Sequence, residues 1–358
     1  MSSYLHDDPR MPSAWGPWFS HEYITYFSVQ AVPGIMNLPP VRVMPNPGLY
    51  DERYPIGPNH VDLYKESYRE VRRLDPLTSY DYAERNGEFT EEPPVQAEIE
   101  PWKILVIYST EPDLELDCDL VLHKRQKITG GSHGWRHMQF RIPGLTIGMA
   151  PESFHRHVEL ANKAFGLGND YWGWRFLSRA THYLADLGHP FHVKAAPFDF
   201  MLRTLLSPAK MLQTLSATHT GYEVYSERRF REGLPAFREA LISGARDGES
   251  SGGDVHQELN SYIETARSRL SPIFRHLIRR FGQGLIDAYA RVEHNSRTDI
   301  AAQTRMCSAD ASAVIFRESN ASALGYLDNA TAEILRDVGR ILGMLFAEFA
   351  SGYAGGSG

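Results

Sequence analysis

Five side chains able to bind a metal ion fall within 42 residues of this chain: His182, Asp186, His192, His219 and Glu223. His182 and Asp186 are four apart, as are His219 and Glu223, so on helices each pair shares one face about a turn apart. Gly188 and Pro190 interrupt the first helix, and His192 lies just past the break. Three imidazoles and two carboxylates suit Zn²⁺, which binds such atoms at about 2.0–2.2 Å. Taken singly, each reads as an ordinary polar residue on a half-exposed helix. Taken together, beside the apolar Tyr183, Leu184, Leu187 and Phe191, they do not. A carboxylate held between imidazoles on a buried face is costly unless a cation sits there.

The elements that must position these groups are mostly helices. From about Pro151 onward the pattern predicts helices at 151–165, 170–187, 200–231, 234–243, 257–284 and 327–350, with weaker ones at 285–295 and 308–320. The Gly/Ser/Asp-rich stretch 243–254 reads as a loop. Upstream, Ser20 is a candidate N-cap for a helix running from His21 and Glu22 to about Val32, stopped by Pro33-Gly34. The prolines between 33 and 60 predict an ordered wrapping loop, and His60 to Leu74 a short amphipathic helix. Trp102–Tyr108 fits a short strand or a buried helix equally well, and it leads to a turn presenting Asp113. The fold class expected is all-α. One helical domain spans 1–255, a helical extension over 256–350 packs on the same core, and 351–358 form a flexible tail.

Composition narrows the function. The chain has 358 residues, 42% hydrophobic and 23% charged, enough for a sizeable core. A net charge of −7 argues against a strongly basic nucleic-acid surface. Two cysteines, Cys118 and Cys307, exclude a disulfide framework. The opening residues have neither the basic nor the apolar region of a secretory signal, so the location expected by default is cytoplasmic. No run approaches the roughly 18 apolar residues of a membrane span, and no protein partner is implied.

His182-Tyr183-Leu-Ala185-Asp186-Leu187-Gly-His-Pro190-Phe-His192, followed by His219-x-x-x-Glu223, resembles the signature of the zinc-dependent phospholipase C / S1-P1 nuclease superfamily. Ala185 stands where that signature usually has Gly. The resemblance covers about 105–225 and extends to 15–32. It implies a mainly helical fold with two or three zinc ions in a cleft. Carried over, His182 and Asp186 would bind the first ion, and His192, His219 and Glu223 the second. Asp113, in Glu-Pro-Asp, and His137, in Trp-Arg-His-Met, would complete the first. His133 is the alternative to His137, and Asp117 and Asp119 are rivals of Asp113. A third ion would take His21 and the shared Asp186. Trp15 would join it only if the chain were cut to expose that residue's amine.

The chemistry implied is hydrolysis of phosphate esters. Clustered zinc would neutralise phosphate charge and lower the pKa of a bound water, with Asp113 orienting or deprotonating that water. Glu223, where the nucleases usually carry Asp, leans toward a phospholipase C-like phosphodiesterase acting on a phospholipid or related ester. A nuclease or nucleotidase acting on single strands is the first alternative, and a helical protein that binds metal without activity the second. Arg136 could steer phosphate or serve as a structural cation. The aromatic residues Tyr171, Trp172, Trp174, Phe191, Phe198 and Phe200 could line a pocket but more readily read as helix core.

Overall fold

A computed structural model describes residues 20–44, 47–49, 98–109, 111–112, 132–142, 145–295, 314–317 and 321–356, the side chains of 132–134, 142, 289–295, 321 and 354–356 excepted. The centre of the fold is helix α6, Asp170–Gly188, in which every residue from Tyr171 onward is buried. Its apolar residues fill the core, and its buried arginines are paired, Arg175 and Arg179 with Glu111. Asn169 caps it, accepting from the Trp172 backbone N–H at 3.2 Å. At the other end Gly188 closes the helix, His189 is extended and Pro190 starts a new turn. A residue before proline is pushed out of the helical region, which fixes the break.

Ahead of α6 come α1 (His21–Val29), α2 (Pro33–Met36), β1 (Val41–Arg42), β2 (Glu98–Ile99), α3 (Pro101–Tyr108), α4 (Ser132–His137), β3 (Phe140–Ile142), β4 (Leu145–Ile147) and α5 (Ala150–Gly166). After it come α7 (Pro190–Val193), α8 (Phe198–Thr204), α9 (Pro208–Arg231), α10 (Pro235–Ser251), α11 (Val255–Asn295) and α12 (Ala321–Gly356). The chain is mainly α-helical. Among the described residues the strands form two small antiparallel pairs, β1 with β2 and β3 with β4. Helices α3, α5, α11 and α12 all pack against α6, and α9 packs on α11. One continuous hydrophobic cluster runs from Tyr23 to Ala350, so the residues after 255 share the core of those before it.

Several local expectations change. Of the two readings of Trp102–Tyr108 the buried helix holds, with Pro101 in the first turn, where its missing N–H costs nothing. Ser20 makes no side-chain capping bond, α1 ends at Val29, and Pro33 begins a short helix rather than only ending one. The stretch 200–231 divides into two helices at Leu205–Ser207, because Pro208 cannot donate to a preceding turn. Residues 243–251, read as loop, continue α10, since Gly244 and Gly248 sit against the backbone of α12. The helices expected at 257–284 and 285–295 merge into α11 across Pro272. Residues 351–356, read as a flexible tail, belong to α12, where the Tyr353 hydroxyl donates to Asp170 Oδ2 at 2.8 Å. The helix expected at 60–74 and most of that at 308–320 lie outside the described residues.

Two ties set the framework of the site. Ser178 Oγ donates to the Leu105 carbonyl at 2.6 Å, joining α3 to α6. The Gln139 N–H donates to the His192 carbonyl at 2.8 Å, joining the segment after α4 to α7.

Candidate metal centre

On α6 the four-residue spacing puts His182 and Asp186 on one face, with His182 Nε2 3.2 Å from Asp186 Oδ2. His182 Nδ1 lies 2.6 Å from the Ser109 carbonyl, to which only a protonated nitrogen can donate. Nδ1 therefore carries the hydrogen, and Nε2 presents a bare lone pair to the cluster. His137, at the end of α4, brings Nδ1 to 2.7 Å from Asp186 Oδ2 and 2.9 Å from His182 Nε2. From α1, His21 stacks on the His182 ring at 3.7 Å between centroids, with Nε2 3.6 Å from Asp186 Oδ1. Asp186 thus faces imidazoles from three other segments as well as its own.

The second group starts at the same carboxylate. His192 Nδ1 lies 2.9 Å from Asp186 Oδ1, and its Nε2 lies 3.2 Å from Glu223 Oε1. On α9 the four-residue spacing brings His219 Nε2 to 3.0 Å from Glu223 Oε1. Phe191 stacks on His219 at 5.7 Å and 6°. His189 joins this group: its ring lies 4.4 Å from that of His192 and 5.4 Å from that of His219. Two sets of donor atoms, each within 4.8 Å of one another, result: His21, His182 and Asp186; and His189, His192, His219 and Glu223.

Distances of 2.7–3.2 Å between most of these atoms would ordinarily mean hydrogen bonds. Yet His192 Nδ1, Asp186 Oδ1 and His219 Nε2 are buried with no aligned hydrogen-bond partner. Lone pairs that approach without pointing at each other point at common space between them. Four ligands at zinc distance lie roughly 3.3–3.6 Å apart, so most of these atoms, now 2.7–3.2 Å apart, would move apart by a few tenths of an ångström to take an ion. The buried donor set could therefore hold a metal ion.

Electrostatics agree. Burial and neighbouring imidazoles hold His21 well below the usual histidine range, and burial with His192 does the same to His189, so both rings are neutral and ready to coordinate. Asp186 stays ionised despite burial, because His192, His182 and His137 surround it. Glu223 is likewise held down against burial by His219 and His192. In the metal-free protein, burial opposes a charge on His192, but the carboxylates of Asp186 and Glu223 outweigh it and raise its pKa to about 10. A cation entering the second group must displace that proton, so its affinity rises with pH.

One turn beyond Glu223, Glu227 is buried and its pKa is raised to about 7 by burial, against the pull of Arg231 and with the repulsion of Glu223. A carboxyl raised on folding makes the folded state bind more protons between its unfolded value of 4.5 and about 7. Glu227's own contribution to the stability of the metal-free protein is expected to fall as pH rises through that window and to level off above it. Glu227→Gln should remove that loss, so that the change in stability from pH 5 to pH 7 in urea titrations becomes more favourable than in the parent; an unchanged difference would show that Glu227 is not raised on folding.

Of the residues expected at the site, His21, His137, His182, Asp186, His192, His219 and Glu223 are brought together. Asp113, Asp117, Asp119, Trp15 and both cysteines lie outside the described residues, as does the side chain of His133. Arg136 is structural: buried, it donates to the Tyr183 hydroxyl at 2.7 Å and the Pro112 carbonyl at 3.3 Å. Glu111, just before Pro112, is pinned between Arg175 and Arg179. Tyr171, Trp172 and Trp174 are core residues. His189 is the residue that sequence reasoning passed over. The only local signal was its place in the Gly-His-Pro break, which takes its backbone out of the helix.

As a member of the second group, His189 makes a prediction. His189→Ala should speed release of one ion to a chelator and weaken its binding by at least about tenfold. Unchanged release would remove His189 from the set.

Comparison with protein-family models, curated proteins and solved structures gives no match to this chain.

Proposed function

We propose that this chain is a zinc-dependent hydrolase of phosphate esters, of the phospholipase C-like kind. The observation that carries the reading is the convergence of buried nitrogen and oxygen donors from α1, α4, α6, α7 and α9 on Asp186 and Glu223. His182, Asp186 and His137 would hold one ion. His192, His219, Glu223 and His189 would hold a second, and His21 with Asp186 a third. Zinc there would supply charge for a phosphate and a water that ionises near neutral pH.

The chain's own residues do the positioning. Asp186 offers one oxygen to each side of the cluster. Ser109 fixes the tautomer of His182. His219, the half-buried member of the set, marks the accessible edge. The resemblance to the zinc-dependent phospholipase C / S1-P1 nuclease superfamily supports the reaction class, and Glu223 in place of Asp favours the phospholipase branch over the nucleases. A net charge of −7 favours it too. No described helix is long and apolar enough to cross a membrane.

A second reading has one observation in its favour. Four protein donors around the second position form a closed shell, the arrangement of structural rather than catalytic zinc. The deciding experiment is metal analysis of the purified protein with a screen of bis-p-nitrophenyl phosphate, p-nitrophenyl phosphorylcholine and single-stranded DNA. Zinc with turnover of the phosphorylcholine ester supports the phospholipase-like reading. Turnover of DNA alone selects the nuclease, and zinc without any turnover selects the structural role.

A further inference from the structure

Between the ligands His192 and His219 the chain makes an excursion through α8 and the first turns of α9 that is apolar on its outside. Phe198 is 68% exposed, Leu202 57%, Leu205 66%, Leu206 96% and Leu212 62%. Among the described residues outside this segment, the exposed large hydrophobic ones are scattered singly, at Met44, Leu167 and Tyr326. Single exposed leucines need no explanation, but five within fifteen residues form a patch of the kind that marks an interaction surface. Phe198 and Leu202 are one turn apart on α8. Leu212 and Leu215 precede His219 by seven and four residues on α9, so they lie along the same face as that ligand. The apolar ridge thus runs up to the accessible edge of the metal centre, about 10 Å away along the helix.

Cations flank it. From 194 to 215 the chain carries Lys194, Arg203 and Lys210 against one acid, Asp199. The adjoining stretch of α11 adds Arg275, Arg279 and Arg280, all exposed. Phe200 packs edge-on against Phe274 at 4.9 Å, joining α8 to α11. A cleft of about 240 Å³ between them is lined by Phe200, Arg203, Arg275 and Arg279. Asp199 binds Arg203 and Arg275 at 2.7 and 2.9 Å, leaving the surroundings net positive on a chain whose total charge is −7.

From this juxtaposition we infer that the 198–212 ridge docks the protein on an anionic lipid surface. The leucines enter the boundary between head groups and acyl chains, and Arg203, Lys210, Arg275 and Arg279 meet the phosphates. A second copy of the chain fits less well, because a symmetric contact would set these arginines against their own copies. The consequence for turnover rests on the phosphate-ester reading above: docking brings the edge at His219 to head-group depth.

The test uses the full-length, metal-loaded protein with phosphatidylcholine vesicles and with vesicles containing phosphatidylglycerol, followed by co-sedimentation at low and high salt. Binding is expected to the anionic vesicles and to weaken with salt. The doubly substituted Leu205→Ser/Leu206→Ser should partition at least about tenfold less, and Arg203→Glu/Arg275→Glu should lose the preference for anionic lipid. Hydrolysis of soluble p-nitrophenyl phosphorylcholine should be the same in all three proteins. Failure to bind vesicles, or binding that neither variant alters, overturns the docking surface. In that event, a dimer that disappears in the leucine variant would give the ridge to a second copy. Vesicle binding without hydrolysis of any ester would leave docking standing and remove the phosphate-ester reading instead.

Discussion

Asp186→Ala is expected to empty both halves of the metal centre and to lower any hydrolysis by at least about a thousandfold. One oxygen of Asp186 serves His137 and His182, and the other faces His192 and His21. Removing it takes a donor from the first group and the carboxylate that faces His192 of the second, together with the negative charge that offsets several cations. His219→Ala, by contrast, touches only the second group and should lower zinc content by one ion at most. In the metal-free protein the alanine variant also leaves His192 with Glu223 as its one remaining carboxylate, so its pKa must fall from about 10. Breaking a buried charge pair from one side costs about 3–5 kcal/mol, so the variant should melt earlier even before metal is added. Asp186→Asn keeps the volume and separates the two effects: packing is retained and charge is lost. The measurements are zinc per chain, thermal midpoint with and without zinc, and turnover of a soluble phosphodiester. Loss of a single ion with the other group still filled would show that Asp186 does not bridge them.

That this cluster could be approached from sequence follows from its construction. Two of its pairs need only a helix to converge, because a spacing of four fixes their geometry before any tertiary contact forms. The Gly188–Pro190 break is likewise local, and it sends His192 back toward Asp186. His21 and His137 are different. No local rule brings α1 or α4 to α6, and only the resemblance pointed to them. His189 needed the fold itself, since its value depends on α9 passing close enough to set His219 and Glu223 beside it. The same division holds for the helices. The apolar period marked α5, α6 and α12, whereas the division of 200–231 turned on Pro208, and the helical state of Trp102–Tyr108 on Pro101.

The segment 243–254 shows why composition misled, and it yields a prediction of comparable size. Glycine among serine and aspartate reads as loop because each glycine lowers helix stability by up to about 1 kcal/mol. Here the deficit is overcome by contact. A Cβ built on Gly244 would lie 2.1 Å from the Arg336 carbonyl oxygen, and one on Gly248 1.9 Å from that of Arg340. From the other side, a Cβ on Gly339 would meet the Leu241 carbonyl oxygen at 2.4 Å, and one on Gly343 that of Ala245 at 2.1 Å. Four glycines, two per helix and each pair four residues apart, let the backbones of α10 and α12 touch along this seam. Gly248→Ala should therefore destabilise the protein by about 3 kcal/mol or more, because backbone atoms, unlike a side-chain tip, cannot swing aside. Gly282→Ala in α11 is the control: its Cβ would meet only Ile278, at 3.6 Å, and the change should be neutral or stabilising by up to about 1 kcal/mol. Since α1 packs against both α10 and α12, spreading that seam also displaces His21 from Asp186. Gly248→Ala should then bind zinc less tightly as well as unfold at lower urea, while Gly282→Ala keeps full affinity. Equal urea midpoints for the two variants would mean that the helices do not meet at this seam.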